Sequence, residues 1–599
     1  MTSTLKILGA LALICIAMAG CGDGGGSRDP AASNQKVYRH SMDQAPVSVD
    51  PTQAATVYSN FVVLNVYDTL YAYKYLARPY ELTTNLATGF PKISDDGLSY
   101  VISLKPGVHF IDDPSFPDGI GREVVASDFV YSLKRHFDAT TLSQAAWVWQ
   151  GRIVGLDEWK EAGSDYDSEI SGLRALDAHT IQITLSKPYP QLVHTLTMGF
   201  SALVPREAVE HYGREFSIHP VGSGPFKMER FDTARATLIR NPRFRAESVD
   251  LAALGFDPAL HAGLGLEAIE GRTPPFVDRV DVNFVTEDAA RWNSFSKGSE
   301  IQFAKIPTEQ FDTVLSSKTP PTLKKELENR YNMVDFVEPG VIFNTFNMDF
   351  DEFGYHPDPA QAERNTALRC AVIKAFDWEQ RSERFYNGIA KIYPGIIPPA
   401  VPEMDSGMSR DSVTRDVEGA KQLLADHGWN ADNLPELVYG VAASVKQRQL
   451  FEQFRGFLTE IGYPSEKIVL EQFATFGDIS KAWKQSKLPF VSKGWNLDYP
   501  DAENVLQLFY GPNGSPGSND ANFADPEYDR LYEQSAVMQE GPERTAIYRR
   551  MNEILVDSCV AIMGLSRTNL LMWHENVIGY PDRNIVGGFW LRYVDLREE

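Results

Sequence analysis

Phe490-Val491-Ser492-Lys493-Gly494-Trp495-Asn496-Leu497-Asp498-Tyr499-Pro500-Asp501 runs from an apolar strand into a glycine, then a tryptophan, then an acid bracketed by tyrosine and proline. That order sets a broad apolar surface beside a carboxylate at a strand end, where loops carry binding residues. A partly desolvated carboxylate there would attract an ammonium group through a charge-assisted hydrogen bond. A free peptide N-terminus is one such group. The same residues suit a plainer role, with Asp498 capping a turn and Trp495 filling the core. On the residues alone both readings stay open.

Around this stretch the chain reads as a mixture of strands and helices. Asp96-Gly97 marks a turn, after which Leu98, Tyr100, Ile102 and Leu104 alternate as in a half-buried strand. Ser127 is expected to precede a helix with Val130, Leu133 and Phe137 on one face. Asp177 to Leu185 reads as a strand, with Ile181, Ile183 and Leu185 alternating, and Gly222-Ser223-Gly224-Pro225-Phe226 as a rigid glycine turn. Residues 248–276 lack a period and are expected to form an irregular surface excursion. Farther on, Leu368, Val372 and Phe376 stack at spacing four beside Ala371 and Ala375. Ala420, Leu423 and Leu424 mark a short helix closed by Gly428. A longer helix carries Leu450, Phe451, Phe454, Phe457, Leu458 and Ile461 and ends at Gly462. These stripes are core, and their mixture indicates α/β or α+β lobes.

The N-terminal residues read as an export signal. Lys6 precedes an apolar run from Ile7 to Met18, shorter than the roughly 20 residues that span a bilayer. Met18-Ala19-Gly20-Cys21 places small residues before a cysteine and resembles the lipobox of bacterial lipoproteins, in which the cysteine carries lipid. The Gly/Ser-rich residues that follow suit a flexible tether. Lipidation at Cys21 is therefore expected, with an extracytoplasmic domain leashed to the membrane. The remaining chain is too long for one ordinary core, so two or more lobes are expected. A formal charge of −23 repels nucleic acid and discourages adhesion to anionic lipid. Of the 4 cysteines, Cys370 and Cys559 remain in the body of the chain. A disulfide between them is permitted outside the cytoplasm, but two buried free thiols are the expectation.

No specific catalytic or metal signature is present. The chain has no phosphate loop and no His-Glu-x-x-His helix, and Gly222-Ser223-Gly224 is not a nucleophile elbow. The 11 histidines are scattered, and His211 and His219 do not fall at ligand spacing. No catalytic residue, metal or cofactor is assigned.

Across the mature chain, ordered segments accumulate: Val49-Asp50-Pro51, Asn65-Val66-Tyr67-Asp68-Thr69-Leu70, Ser94 to Tyr100, Leu104 to Phe110 and Ala126 to Leu133. Then come Gly222 to Phe226, Asn241-Pro242-Arg243-Phe244, Ala367 to Ala371 leading to Phe376-Asp377-Trp378, and the stretch from Trp495 to Asp501. From about Val47 to about Tyr593 their shared order resembles the extracellular solute-binding proteins of the oligopeptide and dipeptide type, the receptors of ABC importers. The resemblance implies an α/β, two-lobed periplasmic-binding-protein fold with an additional family-specific domain and a ligand enclosed in the interlobe cleft. The corresponding division is a signal peptide at 1–20, a tether at 21–35, lobe 1 at 36–80, 198–340 and 567–599, the additional domain at 81–197, and lobe 2 at 341–566.

In peptide-binding relatives the acid matching Asp498 holds the peptide ammonium, and backbone around Val57 pairs with the peptide main chain as an added strand would. Trp495 and Asn496 then shape the pocket wall, and Tyr58 and Trp147 are further candidates. Three positions depart from the pattern: Ala55 stands where relatives often have an acid, Ser492 where some have a base, and Cys370 where a polar residue is common. The implied protein is a monomeric, lipid-anchored receptor that takes a peptide or other small solute to permease subunits. A nickel complex, sugar, opine or signalling peptide is the alternative guest. An envelope hydrolase and an assembly or sensing lipoprotein are rivals of other classes.

Overall fold

The computed structural model describes residues 35–298, 300–474, 476–580 and 589–597, so the expected signal, Cys21 and the tether up to residue 34 lie outside it. No helix among the described residues is long and apolar enough to cross a membrane.

The sheets divide the body of the chain into two groups. One group draws its strands from before residue 338 and after residue 567. Val37–Met42 pairs in parallel with Arg279–Phe284, and Arg235–Arg240 and Phe226–Phe231 complete a four-stranded sheet. A second four-stranded sheet is built from Lys92–Ile93, Ser99–Ser103, Thr180–Thr184 and Leu173–Asp177. The other group is a six-stranded sheet drawn wholly from Gly340–Phe346 to Ala561–Ser566. The chain crosses between the groups at residues 338–339 and at Arg567. The strands flanking the first crossing, Tyr331–Val337 and Gly340–Phe346, run beside Thr568–His574 and Ala561–Ser566, which flank the second.

Apolar period explains the layers. In Gly340–Phe346, Val341 and Phe343 point to one face of the six-stranded sheet and Phe346 to the other, where Tyr439, Phe454 and Phe490 meet it. Helix Pro359–Ala375 starts where the Asp358 carboxylate accepts from Ala360 N–H at 3.1 Å and proline occupies the first turn. It buries Leu368, Ala371, Val372 and Ala375 against that second face, and each fully buried Leu or Val there is worth about 1.5–3 kcal/mol. Helix Val445–Glu460, capped by Ser444, buries Leu450, Phe451, Phe454, Phe457 and Leu458, and Gly462 follows with φ +90°.

Some local expectations need correction. The helix expected after Ser127 spans Ala126–Arg135, because Asp128 reaches back to accept from Val125 N–H at 2.9 Å, and Phe137 lies buried just past its end. The strand read from Asp177 to Leu185 is the second arm of a hairpin, Leu173–Asp177 with Thr180–Thr184. Gly222 must be glycine, since a Cβ there would sit 2.0 Å from the Val66 carbonyl oxygen. Residues 248–276 are irregular but not a surface excursion. Val249, Leu251, Leu266 and Ile269 enter the largest apolar cluster one at a time from short turns, which leaves no period to read.

Cys370 and Cys559 are disulfide-bonded, with Cα atoms 5.1 Å apart, and both are half-buried rather than buried free thiols. Cys370 lies on helix Pro359–Ala375 and Cys559 just past Pro542–Asp557. The 189 residues between them hide this proximity in the sequence. In the chain-entropy model a loop of that length gives a large stabilisation. Replacing Cys370 and Cys559 together by serine is expected to lower unfolding stability by about 2–5 kcal/mol, read as a fall in the urea midpoint. An unchanged midpoint would show that the covalent link does not constrain the chain.

Candidate functional site

Strand Phe490–Asn496 pairs antiparallel with Gly340–Phe346, setting Trp495 opposite Val341 and Asn496 opposite Gly340. Leu497 N–H donates to the Pro339 carbonyl at 2.9 Å, so the strand ends beside the first crossing. The chain then turns into the short helix Glu503–Leu506, whose Asn504 is the hub of the site. Asn504 Oδ1 accepts from Trp495 Nε1 at 2.9 Å and from the Asp498 backbone N–H at 3.0 Å. Its Nδ2 donates to Asp498 Oδ2 at 3.3 Å. One buried amide fixes indole and carboxyl relative to each other.

The Asp498 carboxyl is half-buried, and the loss of water around it raises its pKa against the pull of the Asn504 amide. Among the described residues no cation forms an ion pair with it. The turn-capping role belongs to Asp501, whose Oδ1 accepts from Glu503 N–H at 2.9 Å. Trp495 is half-buried, resting on the same apolar cluster as Tyr393 and Met404, so it is partly core and partly wall.

Facing this loop are residues from the segment before residue 200. The Tyr189 phenol, raised by burial, lies near enough to feel the Asp498 and Glu503 charges, and the Arg152 guanidinium sits 3.8 Å over its ring. Gln191 Nε2 donates to Asp501 Oδ2 at 3.5 Å, and His194 Nε2 lies 3.1 Å from Glu540 Oε1. Burial and the Asp501 charge together raise Glu503, which accepts from Tyr499 and Tyr532 hydroxyls.

The other candidates stand apart. Val57 is the first residue of helix Val57–Val66, capped by Thr56, and is 49% exposed. A helical residue cannot offer the strand edge expected of its backbone; what it offers is one of the N–H groups that helix starts leave without an internal partner. Tyr58 is half-buried, with its hydroxyl donating to Asp43 Oδ2 at 3.1 Å. Trp147 lies on the short turn Ala146–Val148 and is 56% exposed, and Asn496 is exposed on its strand. The structure thus brings Trp495 and Asp498 together and leaves Val57, Tyr58 and Trp147 without a described contact to them. Asn504, Tyr189 and Glu503 carry no motif that would single them out in the sequence.

A cavity of about 470 Å³ opens beside Lys391, Ile392 and Tyr393, with Met404 and Arg410 on its wall. Asp498 does not line it, but Tyr393, Met404 and Trp495 share one apolar cluster on one face of the sheet. Two other cavities, of about 410 and 290 Å³, lie among residues 122–210 and against Arg592, away from the Trp495 loop.

Glu403, buried behind this face, has its carboxyl pushed up to about 7, first by burial and then by repulsion from Asp501. Arg544 Nη2, 3.7 Å away, only partly offsets this. Because the folded pKa exceeds the ordinary 4.5, the folded protein holds a proton that the unfolded chain has lost. Stability from this group therefore falls as pH rises through that window. Glu403→Gln is expected to gain about 1–3 kcal/mol at pH 8 relative to its difference from wild type at pH 5, measured by urea unfolding at both pH values. A pH-independent difference would remove the buried repulsion.

The chain matches the family of bacterial extracellular solute-binding proteins, family 5 (middle), over residues 81–517. It is 23% identical over 472 residues to the heme-binding protein A of Haemophilus influenzae, covering 78% of this chain and 75% of that one. It is 22% identical over 516 residues to the glutathione-binding protein GsiB of Escherichia coli O1:K1, covering 85% and 84%. Among solved structures, DppA from Helicobacter pylori in complex with the peptide STSA aligns at TM-score 0.66 and 20% identity, covering 95% of this chain and all of that one. The fold is the two-lobed one of these relatives, and the protein belongs to the family 5 bacterial extracellular solute-binding proteins, the receptors of ABC importers.

Proposed function

We propose that the protein captures a peptide by its free N-terminal amine, with Asp498 as the pairing acid, and delivers it to a permease while lipid on Cys21 holds it at the membrane. The carrying observation is Asp498 itself: a half-buried carboxyl, aimed by Asn504 beside the Trp495 ring and with no described cation as its partner. An ammonium would replace water around a charge that burial disfavours, and the pair would be a charge-assisted hydrogen bond. Trp495 supplies an apolar wall, Asn496 and Trp147 exposed polar and aromatic surface, and Tyr58 a hydroxyl near the first turn of the helix that begins at Val57. Lobe closure over the guest follows the hinge repertoire of such receptors, with residues 341–566 as lobe 2, 81–197 as the additional domain and the rest of the body as lobe 1. The protein acts as a monomer and needs no cofactor for capture.

The glutathione named for GsiB and the peptide named for DppA favour a peptide guest. The heme named for the Haemophilus influenzae relative makes a non-peptide solute the second reading. The test is calorimetric binding of a short peptide with a free or an acetylated N-terminus. Asp498→Asn is expected to weaken the free-amine peptide by about 1.5–3 kcal/mol and to leave the acetylated one unchanged. Burial raises the empty Asp498 carboxyl, so capture of an ammonium ionises it. Binding should then release protons and strengthen as pH rises through the carboxyl range. Equal affinity for both peptides would dismiss Asp498 from this role, and recovery of cleaved peptide would favour the hydrolase.

A further inference from the structure

A second cluster lies in the seam between the additional domain and lobe 2, outside the Asp498–Asn504–Trp495 unit. His194, from the short helix Leu192–Thr195, meets Asp501 and Glu540 of the facing lobe, and one donor atom from each lies within 4.8 Å of the others. We propose that His194, Asp501 and Glu540 form a site for one divalent ion of the zinc class, which clasps the additional domain to lobe 2.

Geometry is the first support. Zinc bonds of about 2.0–2.1 Å place tetrahedral donors about 3.3 Å apart, and His194 Nε2 already lies 3.1 Å from Glu540 Oε1. The imidazole is held as a metal-bound histidine is held. Its Nδ1 lies 2.9 Å from the Tyr73 hydroxyl, and its ring stacks between Tyr73 and Tyr499 at centroid distances of 6.0 and 5.9 Å. With Nδ1–H donating to the Tyr73 oxygen, Nε2 presents its lone pair to the seam.

Charge is the second support. Three carboxyl groups, those of Glu403, Asp501 and Glu540, surround one guanidinium, that of Arg544, at 3.7, 2.9 and 4.0 Å. Glu403 is only 6% exposed, and its Oε2 has no hydrogen-bond partner, nor has Arg544 Nη1. With Asp501 and Glu540 ionised, the single guanidinium leaves this partly buried group short of positive charge, and a divalent ion at the three donors supplies it. Two oxygens with one imidazole suit zinc rather than magnesium or calcium, which prefer all-oxygen sites. Glu540 is exposed, so a fourth position is open to water or to a polar atom of the guest. Because donors come from the additional domain and from lobe 2, the ion binds the arrangement in which they meet and shifts the protein towards it.

The experiment is zinc titration of the chelator-treated full chain by calorimetry and native mass spectrometry, with small-angle scattering before and after. One zinc per chain is expected, with a smaller radius of gyration on binding and affinity at least tenfold weaker in Glu540→Gln and in His194→Gln. Glu540 lies at the surface, so its variant keeps the fold. Metal-free peptide affinity of Glu540→Gln should match wild type, which separates this site from the Asp498 reading. No stoichiometric zinc, or zinc binding untouched by either substitution, would overturn the proposal and leave Arg544 as the sole charge partner of the cluster.

Discussion

The paired crossing between the lobes is the constraint on which the rest of the molecule depends. Glu338 N–H donates to the Arg567 carbonyl at 2.8 Å, and its carboxylate meets Arg567 Nε at 2.6 Å. Ser566 Oγ–H donates to Gly340 O, and Asn569 Nδ2 to Glu338 Oε1 at 2.7 Å. Two strands that traverse the molecule side by side, bonded to each other at the crossing, join the two sheet groups while each keeps its own sheet and core. Strand Phe490–Asn496 hangs on this element through its ladder with Gly340–Phe346, so the site loop is positioned from the crossing outward.

From that strand the electrostatics of the seam follow. The loop and the helix after it concentrate acids, Asp498, Asp501 and Glu503, with Glu403 and Glu540 brought beside them. Burial alone pushes such groups towards the neutral form, and the lobe answers with few cations. Arg544 is committed to Asp501, and Tyr499 and Tyr532 hydroxyls serve Glu503. Asp498 is left with an amide. The proposed capture of a cation rests on this half-buried carboxyl, which a neutral amide serves beside the Trp495 indole.

Much of this was legible without coordinates, and the limits are physical. Alternation exposed the strand at Ser99–Ser103, and spacing of three and four exposed the helices Pro359–Ala375 and Val445–Glu460, because one-sided burial imprints a period on the chain. Where burial is one residue at a time, as at Val249, Leu251, Leu266 and Ile269, no period exists and the segment looked like surface. Val57 shows the converse: Thr56 with Ser59 three residues on is a helix start, and that local capping signal outweighs an implied strand. The Cys370–Cys559 bond turns on a distance across 189 residues, which pattern cannot measure.

For the site, the tryptophan and acid of Trp495 to Asp498 stood out because a large ring and a charge at a strand end are costly unless used or covered. Asn504, an unremarked side chain, ties both together, its amide reaching back across the turn. The sequence by itself determined the class of fold and the two-lobed family pattern, and it singled out Asp498 as a candidate. Only the tertiary structure decided that Asp501 caps the turn, that Asp498 is freed from it, and that His194 meets Glu540 across the seam. Local patterns are written by neighbours along the chain, whereas charge, dryness and ligand geometry are set by neighbours in space.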